Sequence, residues 1–193
     1  DGEYEGYQCT GTPVDCVKIA LDVILERRPD LIVSGINHGS NASINVIYSG
    51  TMSAALEGYI EGVPSIGFSL LDHSVEADFE ASKHYVREML QLVLSKEPLN
   101  FCLNVNIPKL PLEMIKVIRF CRQAHAKWVE EFDHRTDPSG KDYYWLTGHF
   151  QPFEEHEEDT DLYALQNGYV SVVPVSYDLT HHDILKTISQ WTP

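Results

Sequence analysis

The sequence predicts an α/β protein: a Rossmann-like three-layer sandwich, with a parallel sheet flanked by helices on both faces. Segments of helical period alternate with short strand-like runs, the grammar of parallel strands joined by crossover helices. One of those runs, at 31–33, is continuously apolar, as strands covered on both faces are, and 65–70 is another buried-strand candidate. With 193 residues, 43% of them hydrophobic, the chain is long enough to bury a core without disulfide staples.

Thr12-Pro13 reads as an N-cap followed by proline in the first turn, and Val14, Val17, Leu21, Ile24 and Leu25 continue at helical spacing. Arg27 and Arg28 are expected in the last turn, where cations suit the helix dipole, and Pro29 stops the helix. Residues 30–33 form the first expected strand, buried on both faces. A second helix starts at Ser49, with Met52, Ala55, Leu56, Tyr59 and Ile60 on one stripe and Glu57 and Glu61 off it. Residues 65–70 give the next strand. A third helix follows over about 76–95, with Phe79, Val86, Leu90 and Val93 on one side. Phe101, Leu103, Val105 and Ile107 alternate with Cys102, Asn104 and Asn106, a strand ending at Pro108.

Beyond about residue 117 the pattern changes. Residues 117–120 and 143–146, with Asp137-Pro138-Ser139-Gly140 between them, suggest a long β-hairpin. Its aromatics, Trp128, Tyr143, Tyr144 and Trp145, suit an oligomerisation arm. A strand over 169–173 and a short helix over 182–191 complete the chain. The organisation expected is a body over 1–116, a hairpin arm over 117–150, and a C-terminal segment over 151–193 that completes or exchanges with a partner body.

The 14 Lys and Arg stand against 29 Asp and Glu, a net charge of −15 that repels a polyphosphate backbone, so duplex nucleic acid is excluded as the partner. Cys9, Cys16, Cys102 and Cys121 show no Cys-x-x-Cys spacing and fit free thiols in a reducing cytoplasm, with Cys16 packed in the first helix. Residues 31–56 carry no Asp, Glu, Lys or Arg, but they are too rich in Asn, Ser and Gly to span a membrane. The run Glu154-Glu155-His156-Glu157-Glu158-Asp159 reads as a solvated loop. The sequence opens at Asp1-Gly2 with no initiator Met, and no amphipathic element precedes about residue 12, so a further segment is expected upstream.

In a chain so acidic, the uncharged stretch after the first strand needs a reason. It leaves the carboxyl end of a parallel strand, where open α/β sheets bind ligands, and ends at a helix start, where free N–H groups attract an anion. Gly50 lets a phosphate oxygen approach the backbone, and the Ser49 and Thr51 hydroxyls can donate to it. Gly35 and Gly39 permit positive φ, and Asn37 and Asn41 offer neutral amide groups to a cation or an anion. His38, within the loop, is a candidate substrate contact.

The motif Ser34-Gly35-Ile36-Asn37-x-Gly39-x-Asn41, with Ile47-Tyr48-Ser49-Gly50-Thr51 and Ala54-Ala55-x-Glu57-Gly58 after it, resembles the signature of the SurE family, the stationary-phase survival 5′-nucleotidases. Gly11-Thr12-Pro13-x-Asp15-Cys16, Leu103-Asn104-Val105-Asn106-Ile107-Pro108, Thr160-Asp161 and Gly168-Tyr169-Val170-Ser171 are similar to further blocks in the same order. The resemblance implies a metal-dependent phosphatase acting on nucleoside 5′-monophosphates, with a Mg²⁺- or Mn²⁺-class ion, assembled as a homodimer or homotetramer. It implies Asn37 as a metal ligand, Asn41, Ser49, Gly50 and Thr51 as a phosphate cradle, and Asp178 with His182 as a supporting pair near the exchanged C-terminal segment.

Two features depart from the family pattern. The Asp-Asp-Gly that ends the family's first strand and supplies the main metal carboxylates is not found, nor is the following loop with its serine. The acidic residues common after the second Asn are replaced here by Ala42-Ser43-Ile44-Asn45. The missing carboxylates are expected upstream of Asp1, so these residues alone would show little activity. The competing reading is a non-catalytic nucleotide-binding or oligomeric module. A dinucleotide enzyme is disfavoured because no G-x-G-x-x-G occurs, and Gly140-Lys141-Asp142 fails the P-loop pattern.

Overall fold

In the computed structural model, which describes residues 4–154 and 156–191, the helical and strand periods of the sequence resolve into one five-stranded sheet with helices on both faces. Its strands are β1 (Ile32–His38), β2 (Ser65–Leu70), β3 (Cys102–Ile107), β4 (Ile118–Phe120) and β7 (Val170–Val175), in the order β1-β2-β3-β7-β4. Three of the four pairings are parallel; β7 runs antiparallel to β3, so the sheet is mostly rather than wholly parallel.

Strand alternation builds two different faces. Ile66, Phe68 and Leu70 of β2, Leu103, Val105 and Ile107 of β3, and Val170 and Val172 of β7 form one apolar core with Ala81, Tyr85 and Met89 of α3 (Glu80–Leu94). The alternate residues face α2 (Gly50–Ile60) and are small or polar: Ser65, Gly67, Ser69, Asn104, Asn106 and Ser171. Met52, Ala55 and Cys102 make the small apolar core on that side. The expected α3 stripe of Phe79, Val86, Leu90 and Val93 only borders its core; the deepest positions are one step round the helix.

Other expectations are corrected. The first helix is short: α1 (Pro13–Ile19), capped by Thr12 with Asp15 reciprocating, passes into a π-helical turn over Ala20–Ile24. Arg27 and Arg28 lie beyond it, Arg27 on Asp30 and Arg28 on Glu61. Cys16 is exposed rather than packed. β1 is an edge strand with Val33 47% exposed, so it is not buried on both faces. Glu57, expected off the apolar stripe, is buried because α1 lies over α2, and it pairs with Lys18 at 2.6 Å.

The hairpin keeps its expected turn and its expected second strand, 143–146, and its first strand is not the one expected. β5 (Ala126–Thr136) pairs antiparallel with β6 (Asp142–Pro152), whereas β4, at 118–120, joins the central sheet beside β7. The short helix α4 (Asp161–Gln166), capped by Thr160, was not anticipated, and α5 (His182–Ile188) ends the described chain. The acidic run is more than solvated, since Glu154 and Asp159 both hold Arg122 at 2.9 Å. Asp1, Gly2 and Glu155 lie outside the described residues.

Candidate functional site

The loop after β1 is aimed by a one-residue irregularity in that strand. Ser34 pairs with Gly67 but Asn37 with Ser69, so one extra residue is taken up between them. Gly35 sits there at φ +108°, and a Cβ would overlap the Phe68 carbonyl oxygen, so only glycine fits. Asn37 follows, half-buried, donating its amide N–H to the Gly39 carbonyl at 3.0 Å and keeping Oδ1 spare among the described residues.

Asn41 is then locked onto the sheet. Its backbone N–H donates to Asn106 Oδ1 (2.8 Å), its carbonyl accepts from Asn104 Nδ2 (2.8 Å), and its own Nδ2 donates to Ser69 Oγ (2.7 Å). Asn106 Nδ2 donates to Asn104 Oδ1 at 2.9 Å, closing the network. All four residues are buried, Asn41 at 5% exposure. One N–H of the Asn41 amide is therefore tied up in holding the loop, and its second N–H is left without a partner among the described residues, on the wall of a cleft. Two residues on, Ser43 N–H donates to the buried carboxylate of Asp161 (2.7 Å), which also accepts from the N–H groups of Ala124 and Leu162 (2.9 and 2.8 Å). Burial pushes the Asp161 carboxyl above the usual range, and these backbone N–H bonds oppose that rise.

A 3-10 turn over Ser43–Tyr48 leads to the N-terminus of α2. Ser49 caps the helix, accepting from Met52 N–H at 3.1 Å, and a hydroxyl that accepts can still donate its proton. The first intrahelical bond runs from Ser53 N–H to the Ser49 carbonyl, so the N–H groups of Gly50 and Thr51 are not used by the helix. Gly50 is exposed and Thr51 half-buried, beside Pro13 at the start of α1. These are donors left open at a helix mouth, where the dipole favours an anion.

A cleft of about 520 Å³ opens here, with Asn41 and Ser49 on its wall. Trp128 and Phe150 of the hairpin, Tyr48 and His73 are also among its lining residues, Asn37, Gly50 and Thr51 are not, and no Lys or Arg is. His38, expected in this role, instead packs edge-on against Phe79 at 5.0 Å, while the His73 ring occupies the space a Cβ on Gly39 would need. The residues that hold the site from a distance, Ser69, Asn104, Asn106 and Asp161, were not picked out as functional. Asn104, Asn106 and Asp161 lie in blocks similar to the family's, and Asn104 and Asn106 alternate with apolar neighbours, whereas Ser69 carried neither signal.

Asp178 and His182 do meet, at 3.1 Å, but both are exposed, and neither lines the cleft of Asn41 and Ser49. The Asp178 carboxyl is held below its usual range, first by the Thr180 hydroxyl and N–H and then by His182. Asp178 instead borders a larger apolar cleft of about 730 Å³ between α2 and the end of β7.

A hard divalent cation takes about six oxygen ligands, carboxylates among them. Among the described residues no group of three or more His, Cys, Asp or Glu converges on a common point, and Asn37 supplies one neutral oxygen. The described residues do not by themselves make a divalent-metal centre.

A family model described as "Survival protein SurE" matches residues 1–130. The 5′-nucleotidase SurE of Christiangramia forsetii is 59% identical over 191 residues, covering 98% of this chain and 73% of that protein. The 5′-nucleotidase SurE of Flavobacterium psychrophilum is 58% identical over 186 residues, covering 96% and 72%. Among solved structures, the SurE protein from Aquifex aeolicus superposes with a TM-score of 0.78 at 42% identity, covering 93% of this chain and 73% of that one.

Proposed function

This chain belongs to the SurE family, and from that premise we propose that it is a phosphomonoesterase hydrolysing nucleoside 5′-monophosphates with a divalent metal ion of the Mg²⁺ or Mn²⁺ class. The observation that carries the reading is the pair of N–H donors at Gly50 and Thr51, beside a Ser49 hydroxyl able to donate, on an 11-residue helix at the mouth of an uncharged loop. Relatives at 58–59% identity bearing 5′-nucleotidase names support catalysis over a binding module without chemistry.

In this reading Ser49, Gly50 and Thr51 hold the phosphate, and Asn41 acts mainly by fixing the loop that shapes the cradle. Fixed dipoles suit the task because they need no reorganisation as charge shifts on the phosphoryl oxygens. Asn37 Oδ1 would be one neutral metal ligand. Among the described residues no cluster of carboxylates joins it, and the carboxylate partners would come from outside them. The Asp178–His182 pair, 3.1 Å apart in the C-terminal segment, would act as a supporting pair for catalysis.

The hairpin supports assembly as a dimer or tetramer, since Phe132, Tyr144, Trp145 and Leu146 are each more than half exposed. A cytoplasmic location is proposed from four unpaired cysteines. Among the described residues no helix is long and apolar enough to cross a membrane.

The test is phosphate release from adenosine 5′-monophosphate by the full chain, after chelation and after return of Mg²⁺ or Mn²⁺. Turnover is expected only with metal, and Thr51→Ala should lower kcat/KM by about 10²-fold. Unchanged turnover in T51A, which loses the Thr51 hydroxyl and keeps its N–H, would remove that hydroxyl from the cradle. No hydrolysis of any phosphate monoester with either metal would overturn the enzyme.

A further inference from the structure

We propose that Trp128 of the hairpin, backed by Phe150 and facing Tyr48, is the platform on which the substrate's nucleobase stacks, so that the hairpin contributes to substrate recognition. The proposal rests on the nucleotidase reading above and gives it a base-binding wall. The cleft that Asn41 and Ser49 line on one side is lined by these three aromatic rings elsewhere, and about 520 Å³ falls within the range of small-molecule sites.

Trp128 is held as a platform should be. Its indole N–H donates to Asn45 Oδ1 at 2.8 Å, and Phe150 meets it edge-on at 5.4 Å between ring centres. With its one polar atom satisfied and Phe150 supporting it, the indole is 45% exposed in a cleft that Ser49, the residue before Gly50 and Thr51, also lines. Asn45 belongs to the 3-10 turn that delivers Ser49, so a single short segment positions both the stacking ring and the phosphate cap.

A flat ring accepts any base through its π-face, which predicts breadth across bases, with purines favoured by their larger area. The absence of Lys and Arg from the lining offers nothing to the additional charge of a di- or triphosphate. The site therefore fits a nucleoside monophosphate, with the base recognised by area and the phosphate by backbone donors.

The experiment compares kcat/KM for adenosine 5′-monophosphate and for ribose 5-phosphate, which lacks a base, using the full chain with the same metal. Trp128→Leu should lower the nucleotide-to-ribose-phosphate ratio by roughly 5- to 100-fold, mainly through the nucleotide KM. Trp128→Phe should keep most of the preference. Asn45→Ala, at a positioning residue, should raise the nucleotide KM with less effect on kcat. Nucleotide binding should quench tryptophan emission in the wild type, and in W128F, where Trp145 and Trp191 remain, that change should be lost.

Tyr48→Leu, at a residue 74% exposed, reads the same wall without endangering the fold. A ratio unmoved in W128L and Y48L overturns the proposal, as does a changed oligomeric state with base preference intact, which would make Trp128 an interface residue. A wild type that hydrolyses both substrates equally well overturns the platform but leaves the phosphatase standing. One that hydrolyses neither overturns both.

Discussion

Replacing Asn104 by alanine tests whether the buried amide network holds the phosphate loop in place. The side chain is 2% exposed and makes two bonds, donating to the Asn41 carbonyl at 2.8 Å and accepting from Asn106 Nδ2 at 2.9 Å. Truncation orphans both partners inside the protein, since Asn106 is fully buried and Asn41 nearly so. Each orphaned polar group costs about 1–3 kcal/mol, so Asn104→Ala should lose about 2–6 kcal/mol in total. Urea denaturation followed by circular dichroism measures this. At a slope of about 2 kcal/mol per molar, the midpoint should fall by roughly 1–3 M. Because Asn104 and Asn106 share a bond, N104A/N106A should lose less than the sum of the two single losses. A loss below about 0.5 kcal/mol, or strict additivity, would refute the network as the anchor of Asn41.

Two further outcomes follow from local geometry and charge. Gly35→Ala should cost at least about 2 kcal/mol in chemical denaturation, because positive φ and the Phe68 carbonyl act together, whereas Gly140→Ala, at φ +82° with open space around it, should cost only about 1. Equal losses in the two would show that the steric contact at Gly35 has no weight. Glu154 is held below its usual 4.5, first by the His125 N–H and then by Arg122. Its ionisation thus contributes stability that is full above pH 4.5 and is lost as pH falls through the lower folded value. Glu154→Gln should therefore flatten the acid limb of the stability curve below pH 4.5 and lower stability at neutral pH; a parallel curve would refute the pairing.

The sequence alone determined the alternation of helices and strands, the uncharged helix-mouth loop over 34–51 on which the phosphate proposal rests, and the family resemblance. Each of these is written in neighbouring residues: a 3.6-residue period, a Ser-Gly-Thr helix start, an absence of charge over 31–56. Local chemistry fixes local conformation, so Ser49 was readable as both a cap and a donor, and its cap bond is 3.1 Å long.

Only the tertiary structure decided which side chains are free. Asn41 and Ser49 looked equivalent as anion donors in the chain. The fold ties one N–H of the Asn41 amide to Ser69 and leaves the Gly50 and Thr51 N–H groups uncommitted, and Asn104 and Asn106 reach the loop from a strand more than sixty residues away. The same holds for strand pairing: residues 118–120 carry no mark saying they join β7 rather than the hairpin, since edge partners are chosen by long-range packing. Trp128 and Phe150 reach the cleft for that reason too. Periodicity tells a residue which face of its own element it occupies, and only the assembled chain tells it what lies opposite.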